Sequence, residues 1–322
     1  MSDFLLDVQH LQVHFPIKKG LFQRTQGHVK AVDDVSFSIA KGETFGLVGE
    51  SGCGKSTTGR TVMNLIKSTS GQVLFAGENL SALSSKEMLT RRKDLQMVFQ
   101  DPYASLNPRL TVEQILEEPL TAHQVGDAEE RKRTIMRMME VCGLNPAYLK
   151  RYAHEFSGGQ RQRICIARAL ILKPKLIVAD EPVSALDVSI QSQILNLLQD
   201  LQEEFQLTYL FISHDLAVVK HLCSRVGVMY LGRMAEIGTA ESIYTNPLHP
   251  YTKSLLSAIP AADPRQKRER ILLRGEVPSP SNPPKGCAFV TRCPSAKDIC
   301  KHERPRVSKV EDDHLVACHL FT

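Results

Sequence analysis

Tryptophan is absent from this 322-residue chain. So is any run approaching the roughly 18 consecutive apolar residues that a membrane-spanning helix needs. A strong excess of one sign of charge is also missing: 40 Lys and Arg stand against 35 Asp and Glu, and the resulting +5 is scattered. A mild, dispersed excess does not argue for a nucleic-acid surface, so no nucleic-acid partner is expected. Met1-Ser2-Asp3-Phe4-Leu5-Leu6-Asp7 lacks the basic start and apolar core of a secretory signal. The expectation is a soluble protein that stays where it is made. Its eight cysteines are then not expected to form disulfides, because the cytosol keeps thiols reduced.

The most informative stretch is Gly49-Glu50-Ser51-Gly52-Cys53-Gly54-Lys55-Ser56-Thr57. It fits G-x-x-x-x-G-K-[ST], the phosphate-binding loop. Its flanks suit that reading: Glu43–Val48 reads as a buried strand and Thr57–Ile66 as a helix. Glycines let the backbone turn tightly, so successive N–H groups and a helix N-terminus converge on one point. Lys55 can then reach terminal phosphates, and the Ser56 hydroxyl can ligate a bridging Mg²⁺. The pattern predicts binding of a nucleoside triphosphate.

The remaining segments read as an α/β domain. Leu5–Phe15 and Ala31–Ile39 alternate as strands around a basic loop, Lys18-Lys19-Gly20-Leu21-Phe22-Gln23-Arg24. Phe15 is placed either to stack on a purine or simply to fill the core. Strands are expected at Gln72–Phe75 and Leu95–Phe99, with a charged helix near Ser85–Arg92. Gln100 then sits at a strand's C-terminal end, where α/β sheets place ligand contacts. Thr111–Leu149 turns helical, with the charge run Glu129-Glu130-Arg131-Lys132-Arg133 facing solvent and Met136, Met138 and Met139 facing inward.

Phe156 precedes Ser157-Gly158-Gly159-Gln160, in which Ser157 and Gln160 form a capping box for a helix over Arg161–Leu170. Two glycines in that first turn weaken a helix and leave N–H groups bare for an anion. Leu176–Ala179 is an apolar strand ending in Asp180-Glu181. Beside a phosphate loop, Asp180 suits the Mg²⁺ shell and Glu181 suits an attacking water. Helix Val188–Glu204, strand Leu207–Ile212 ending at His214, and strands Val226–Tyr230 and Arg233–Gly238 complete the pattern.

Phosphate loop, Gln100, Ser157–Gln160, Asp180-Glu181, Asp187 and His214, in this order and spacing, resemble the ATP-binding subunit of ABC transporters over residues 5–245. The residue before the signature serine is Phe156, where the family more often has Leu, another apolar residue. The resemblance implies a phosphate-loop ATPase core with an antiparallel β subdomain and a helical insertion at about 101–160. It implies a head-to-tail dimer, each ATP held between Gly49–Thr57 of one subunit and Ser157–Gln160 of the other. Gln100 would sense Mg²⁺ and water, Glu181 would be the catalytic carboxylate and His214 would clamp the γ-phosphate. Asp187 would link the two sites.

Beyond 245, Asn246–Thr252, a helix Lys253–Ile259, a Pro-rich linker Pro278–Pro284 and a cysteine tail resemble the extension of dipeptide/oligopeptide importer ATPases. Nickel and glutathione importers share it. The family implies two membrane permease subunits, a second homologous ATPase, an external or periplasmic binding protein, and a place on the cytoplasmic face of the inner membrane. The rival class is a soluble ABC ATPase outside transport, which usually carries two such domains or a nucleic-acid module. This sequence has one such domain and no such module.

The division expected is 1–245 for the ATPase and 246–322 for a small irregular tail. Cys287, Cys293, Cys300 and Cys318 have the spacing C-x5-C-x6-C-x17-C, with His302, His314 and His319 nearby. Four thiols where packing is poor suggest a metal, and the spacing fits no common zinc ribbon. Related importers carry a [4Fe–4S] cluster here, which is the preferred expectation. Zinc is the alternative, unligated thiols a third, and a redox or iron sensor is a further role. Cys53 is expected to matter only for its small size, and Cys142, Cys165 and Cys223 are read as core.

Overall fold

The computed structural model describes residues 4–20, 23–259, 270–273, 275–311 and 313–322. It divides into two compact units. One joins residues 1–40, 44–81 and 212–322, the other 41–43 and 82–211. The described residues of 246–322 thus group by contact with the first unit.

The first unit opens with the antiparallel pair Phe4–Lys19 and Arg24–Ala40. Leu6, Val8, Leu11 and Val13 are buried, and register shifts let the alternation slip between Val8 and Leu11. Both strands outrun their expected limits because pairing continues to Lys19 opposite Arg24. The basic Lys18, Lys19 and Arg24 therefore lie in the paired strand ends; Leu21 and Phe22 of that stretch lie outside the described residues. Ser70–Phe75 and Glu78–Asn79 extend this into a four-stranded antiparallel sheet.

The unit's other strands run in the order Val307–Glu311, His314–Ala317, Arg233–Thr239, Arg225–Tyr230, Thr44–Val48. Only the last pair is parallel. Thr44–Val48 is buried at every position, which is why it reads as unbroken apolar sequence rather than alternation.

The tail is more regular than expected. His314–Ala317 pairs with Arg233–Thr239, so the C-terminal hairpin belongs to the sheet. Glu236 fixes that junction with a fully buried carboxylate. It accepts the N–H groups of Leu248 at 2.7 Å and His249 at 2.9 Å, and meets His314 Nε2 at 2.7 Å. A buried charge is tolerated when its lone pairs are taken up in this way.

In the second unit, Leu95–Val98 runs parallel to Leu176–Asp180. Helices Val112–Ala122, Ala128–Val141 and Gly158–Leu170 each begin with a reciprocal capping box, from Thr111/Gln114, Asp127/Glu130 and Ser157/Gln160. In Ala128–Val141 the charge run is exposed apart from the half-buried Arg131, and Ile135, Met138 and Met139 are buried. Met136 corrects the expectation of an inward methionine set. It is 39% exposed, because one residue past Ile135 lies about 100° around the helix from the buried stripe.

Candidate functional site

The strand Thr44–Val48 delivers the chain into Gly49–Gly54, and helix Lys55–Val62 follows at once. Gly54 is the helix's N-cap with φ +104°, and a Cβ there would lie 2.1 Å from the Ala31 carbonyl oxygen. Only glycine permits both the turn and the approach. Lys55 is buried, and its Nζ donates to the carbonyls of Gly49 at 2.7 Å and Glu50 at 3.1 Å. Ser51 and Gly52 form the exposed crest of the loop, Ser56 and Thr57 are half-buried, and Cys53 is buried beneath. Burial raises the Cys53 thiol's pKa although Lys55 is near, so it is a neutral filler.

Two side chains from the C-terminal extension hold this loop. Tyr251 Oη accepts the Glu50 N–H at 2.9 Å, and Arg292 forms a two-pronged bond to the Glu50 carboxylate at 2.7 and 3.1 Å. Neither was singled out in the sequence. Phe15, on the first strand, is 41% exposed, and His214, directly after strand Thr208–Ser213, is exposed.

The second unit carries the other expected residues. Asp180 ends the buried strand Leu176–Asp180 and is itself buried. Glu181 follows at φ +48°, a left-handed turn that swings its side chain out of the strand's alternation. Gln100 Nε2 donates to Glu181 Oε2 at 2.9 Å, so the structure brings these two together. Ser157 is exposed at the helix start, its N–H donating to Gln160 Oε1 at 3.0 Å. Phe156 is buried, edge-on to Tyr148 with ring centroids 6.1 Å apart. Gly159 has a packing reason for being glycine: a Cβ would meet Ile190 Cγ2 at 2.5 Å. Gly158 is looser, with Leu186 Cδ2 at 3.3 Å. Asp187 caps helix Val188–Phe205 through its backbone carbonyl, its side chain making no capping bond.

Cys287, Cys293, Cys300 and Cys318 line one small cavity together with His249 and His319. Cys300 Sγ accepts the Lys297 N–H at 3.4 Å. Burial pushes the Cys287 thiol up to about 11 and raises Cys293 and Cys318, while the amides of Phe289, Ser295 and Leu320 pull these three back. The donor set and its amides suit thiolate ligands. Among the described residues, however, no group of three or more His, Cys, Asp or Glu side chains is arranged to hold a metal ion. Of the expected histidines, only His319 reaches the cavity. His314 is turned to Glu236, and His302 is exposed 4.0 Å from Asp298. His249, unnoticed in the sequence, takes their place. Cys142, Cys165 and Cys223 are core residues, as read, and all eight cysteines are free.

Residues 32–184 match the family described as ABC transporter, and residues 235–300 match the oligopeptide/dipeptide transporter C-terminal region. The chain is 58% identical to the oligopeptide transport ATP-binding protein AppF of Bacillus subtilis (strain 168), over 100% of this chain and 98% of that protein. It is 53% identical to the dipeptide transport ATP-binding protein DppF of Haemophilus influenzae, over 98% of this chain and 96% of that one. Among solved structures it resembles the ATP-binding cassette MJ0796, seen as a dimer in a post-hydrolysis state with ADP and Pi. The TM-score is 0.65 at 29% identity, over 73% of this chain and 98% of that one. CbiO1 from Clostridium perfringens, part of the transporter complex cbiONQ, also gives a TM-score of 0.65, at 27% identity over 76% and 92% of the two chains. The protein belongs to the ATP-hydrolysing subunits of the ABC transporters, in the branch that carries the oligopeptide/dipeptide C-terminal region.

Proposed function

We propose that this chain powers the import of short peptides, from the cytoplasmic face of a bacterial inner membrane. The observation that carries the reading is the joining, in one chain, of a complete phosphate loop and a peptide-transporter C-terminal region whose Tyr251 and Arg292 hold that loop at Glu50. Among the described residues no helix is long and apolar enough to cross a membrane. The pore is assigned to two permease subunits, and cargo capture to an external binding protein. A second homologous ATPase completes the pair.

In this reading residues 1–245 do the ATP chemistry and 246–322 form the extension. Gly49–Thr57 receives the phosphates, with Lys55 leaving its loop carbonyls to meet them and Phe15 beside the base. Ser56, Gln100 and Asp180 are oxygen donors of the kind Mg²⁺ prefers; the ion would neutralise charge on the phosphates. Glu181, steered by Gln100, orients the attacking water and takes its proton. His214 clamps the γ-phosphate. Ser157–Gln160 offers its serine and amide groups to the nucleotide of the opposing subunit, and Asp187 links the two sites. Hydrolysis then resets the closed pair.

We assign a [4Fe–4S] cluster to the four cysteines, with zinc as the alternative occupant. The supports are their shared cavity and the amide directed to each sulfur. Such a cluster would supply a covalent tie among tail segments.

The test of the transport reading is co-purification with the membrane partners, reconstitution, and ATPase assay with external binding protein. Stimulation by di- and oligopeptides is the expected result. Stimulation by nickel or glutathione, with none by peptide, would overturn the cargo and leave the ATPase role intact.

A further inference from the structure

We propose that Arg292 is a positioning residue for the phosphate loop, setting ATP affinity from the C-terminal extension through Glu50. The inference rests on the reading of Gly49–Thr57 as the ATP phosphate site and goes beyond it by naming what fixes that loop.

Hydrogen bonds converge on all three polar groups of Glu50. Its N–H is held by Tyr251 Oη, its carbonyl receives Lys55 Nζ, and its carboxylate is gripped by both Nη atoms of Arg292. The loop's second residue is thus a fixed post, its carbonyl also taking the Cys53 N–H at 3.2 Å. Its own N–H is spent on a tyrosine. The Arg292 side chain is 9% exposed and that of Glu50 27%, so the pair is shielded enough for its fork geometry to count. An exposed pair of the same geometry would count for little.

Arg292 is itself placed by a tight turn, its N–H bonded to the Phe289 carbonyl at 3.0 Å and the Val290 N–H to the Cys287 carbonyl at 3.2 Å. Phe289 is buried against Tyr230, Tyr251 and His249, with ring centroids 5.1, 5.3 and 5.7 Å away. Arg292 therefore cannot move without that aromatic cluster, and Tyr251 belongs to both. The chain from Cys287 to Cys293 works as a bracket: both of its cysteines line the cysteine cavity, and Arg292 reaches from it to the phosphate loop. Rearrangement of that bracket is then felt as a change in ATP affinity.

The test uses the full-length chain, with ATP titrated for Kd and, in the assembled transporter, for KM and kcat. Arg292→Gln is expected to raise Kd and KM about tenfold while kcat changes less than about twofold, the mark of a lost binding contribution. Arg292→Lys should recover part of the affinity. Glu50→Gln should weaken binding similarly, and the double variant should be no worse than either single one, because both remove the same link. Unchanged affinity in an Arg292→Gln protein of normal melting temperature, or additive losses in the double variant, overturns the proposal. Lys55→Ala separates the two levels: if it binds ATP normally, the loop reading itself has failed. If it abolishes binding while Arg292→Gln has no effect, only the bracket has.

Discussion

Gln100 Nε2 donates to Glu181 Oε2 across 2.9 Å, joining the ends of two neighbouring parallel strands. The bond fixes one oxygen of the Glu181 carboxylate. Glu181→Gln keeps the shape and removes the carboxylate to which the proposed function gives the role of base. ATP binding should persist while turnover falls by about 10²–10⁴. Gln100→Ala should cost less, since the Glu181 carboxylate stays in place and loses only the bond that orients it. Single-turnover hydrolysis with bound ATP measured separately checks both, and full turnover in Glu181→Gln would remove that residue from the chemistry.

The stretches that were legible beforehand are those whose chemistry is local. The phosphate loop, the capped Ser157–Gln160 turn and the strand end at Asp180 each lie in a few contiguous residues whose spacing marks their local structure. Arg292 and Glu50 are 242 positions apart, and Tyr251 is 201 from its partner amide; either side chain alone is an ordinary surface or core residue. The strand Val307–Glu311 is exposed at four of its five positions, so no alternation marks it. Its pairing partner, not its own pattern, makes it a strand. Gly159 was read as a bare amide for an anion, and the Ile190 methyl above it shows that sterics also demand glycine there.

That methyl gives a stability prediction. Gly159→Ala would gain helix propensity but drive Cβ into Ile190 Cγ2, on a β-branched side chain with little rotamer freedom. The net expectation is a loss of about 1–2 kcal/mol in denaturant unfolding. Adding Ile190→Ala should return most of it. A fully stable Gly159→Ala protein would show that the neighbouring helix yields.

His249 makes stability depend on pH. Its Nδ1 accepts the Tyr251 N–H at 3.0 Å and caps helix Pro250–Ser257, which requires a neutral ring. Burial pulls its pKa from 6.5 down to about 4. Between those values the unfolded chain binds a proton that the folded chain refuses, so stability rises with pH. The contribution is complete above pH 6.5 and is lost as pH falls toward 4, on the order of 3 kcal/mol in all. The rest of the ring faces Phe289 and the cysteine cavity, and the Glu236 carboxylate takes the His249 backbone N–H. His249→Asn can still cap and does not titrate. Its melting temperature should therefore fall less steeply over that range than the parent's, and parallel curves would assign the acid sensitivity elsewhere.

The cysteine cavity yields a prediction about composition. Three stretches of the extension meet there, held by side-chain bonds such as Lys297 Nζ to the His319 carbonyl and His319 Nε2 to the Glu303 carbonyl, and nearby Leu248, Val316 and Cys318 with Phe321 make a hydrophobic cluster of modest size. A bound cluster would add ligand bonds where core is scarce. Anaerobically purified protein should be brown, with absorbance near the visible blue and about four irons and four sulfides per chain. Chelation under oxidising conditions should bleach it and lower the melting temperature. Cys300→Ser should lose colour and iron together, while Cys165→Ser, in the core of helix Gly158–Leu170, should keep both. Colourless protein with stoichiometric zinc would replace iron as the occupant. Colourless protein with no metal, melting as the parent does after chelation, would mean that four reduced thiols and their amides hold the tail unaided.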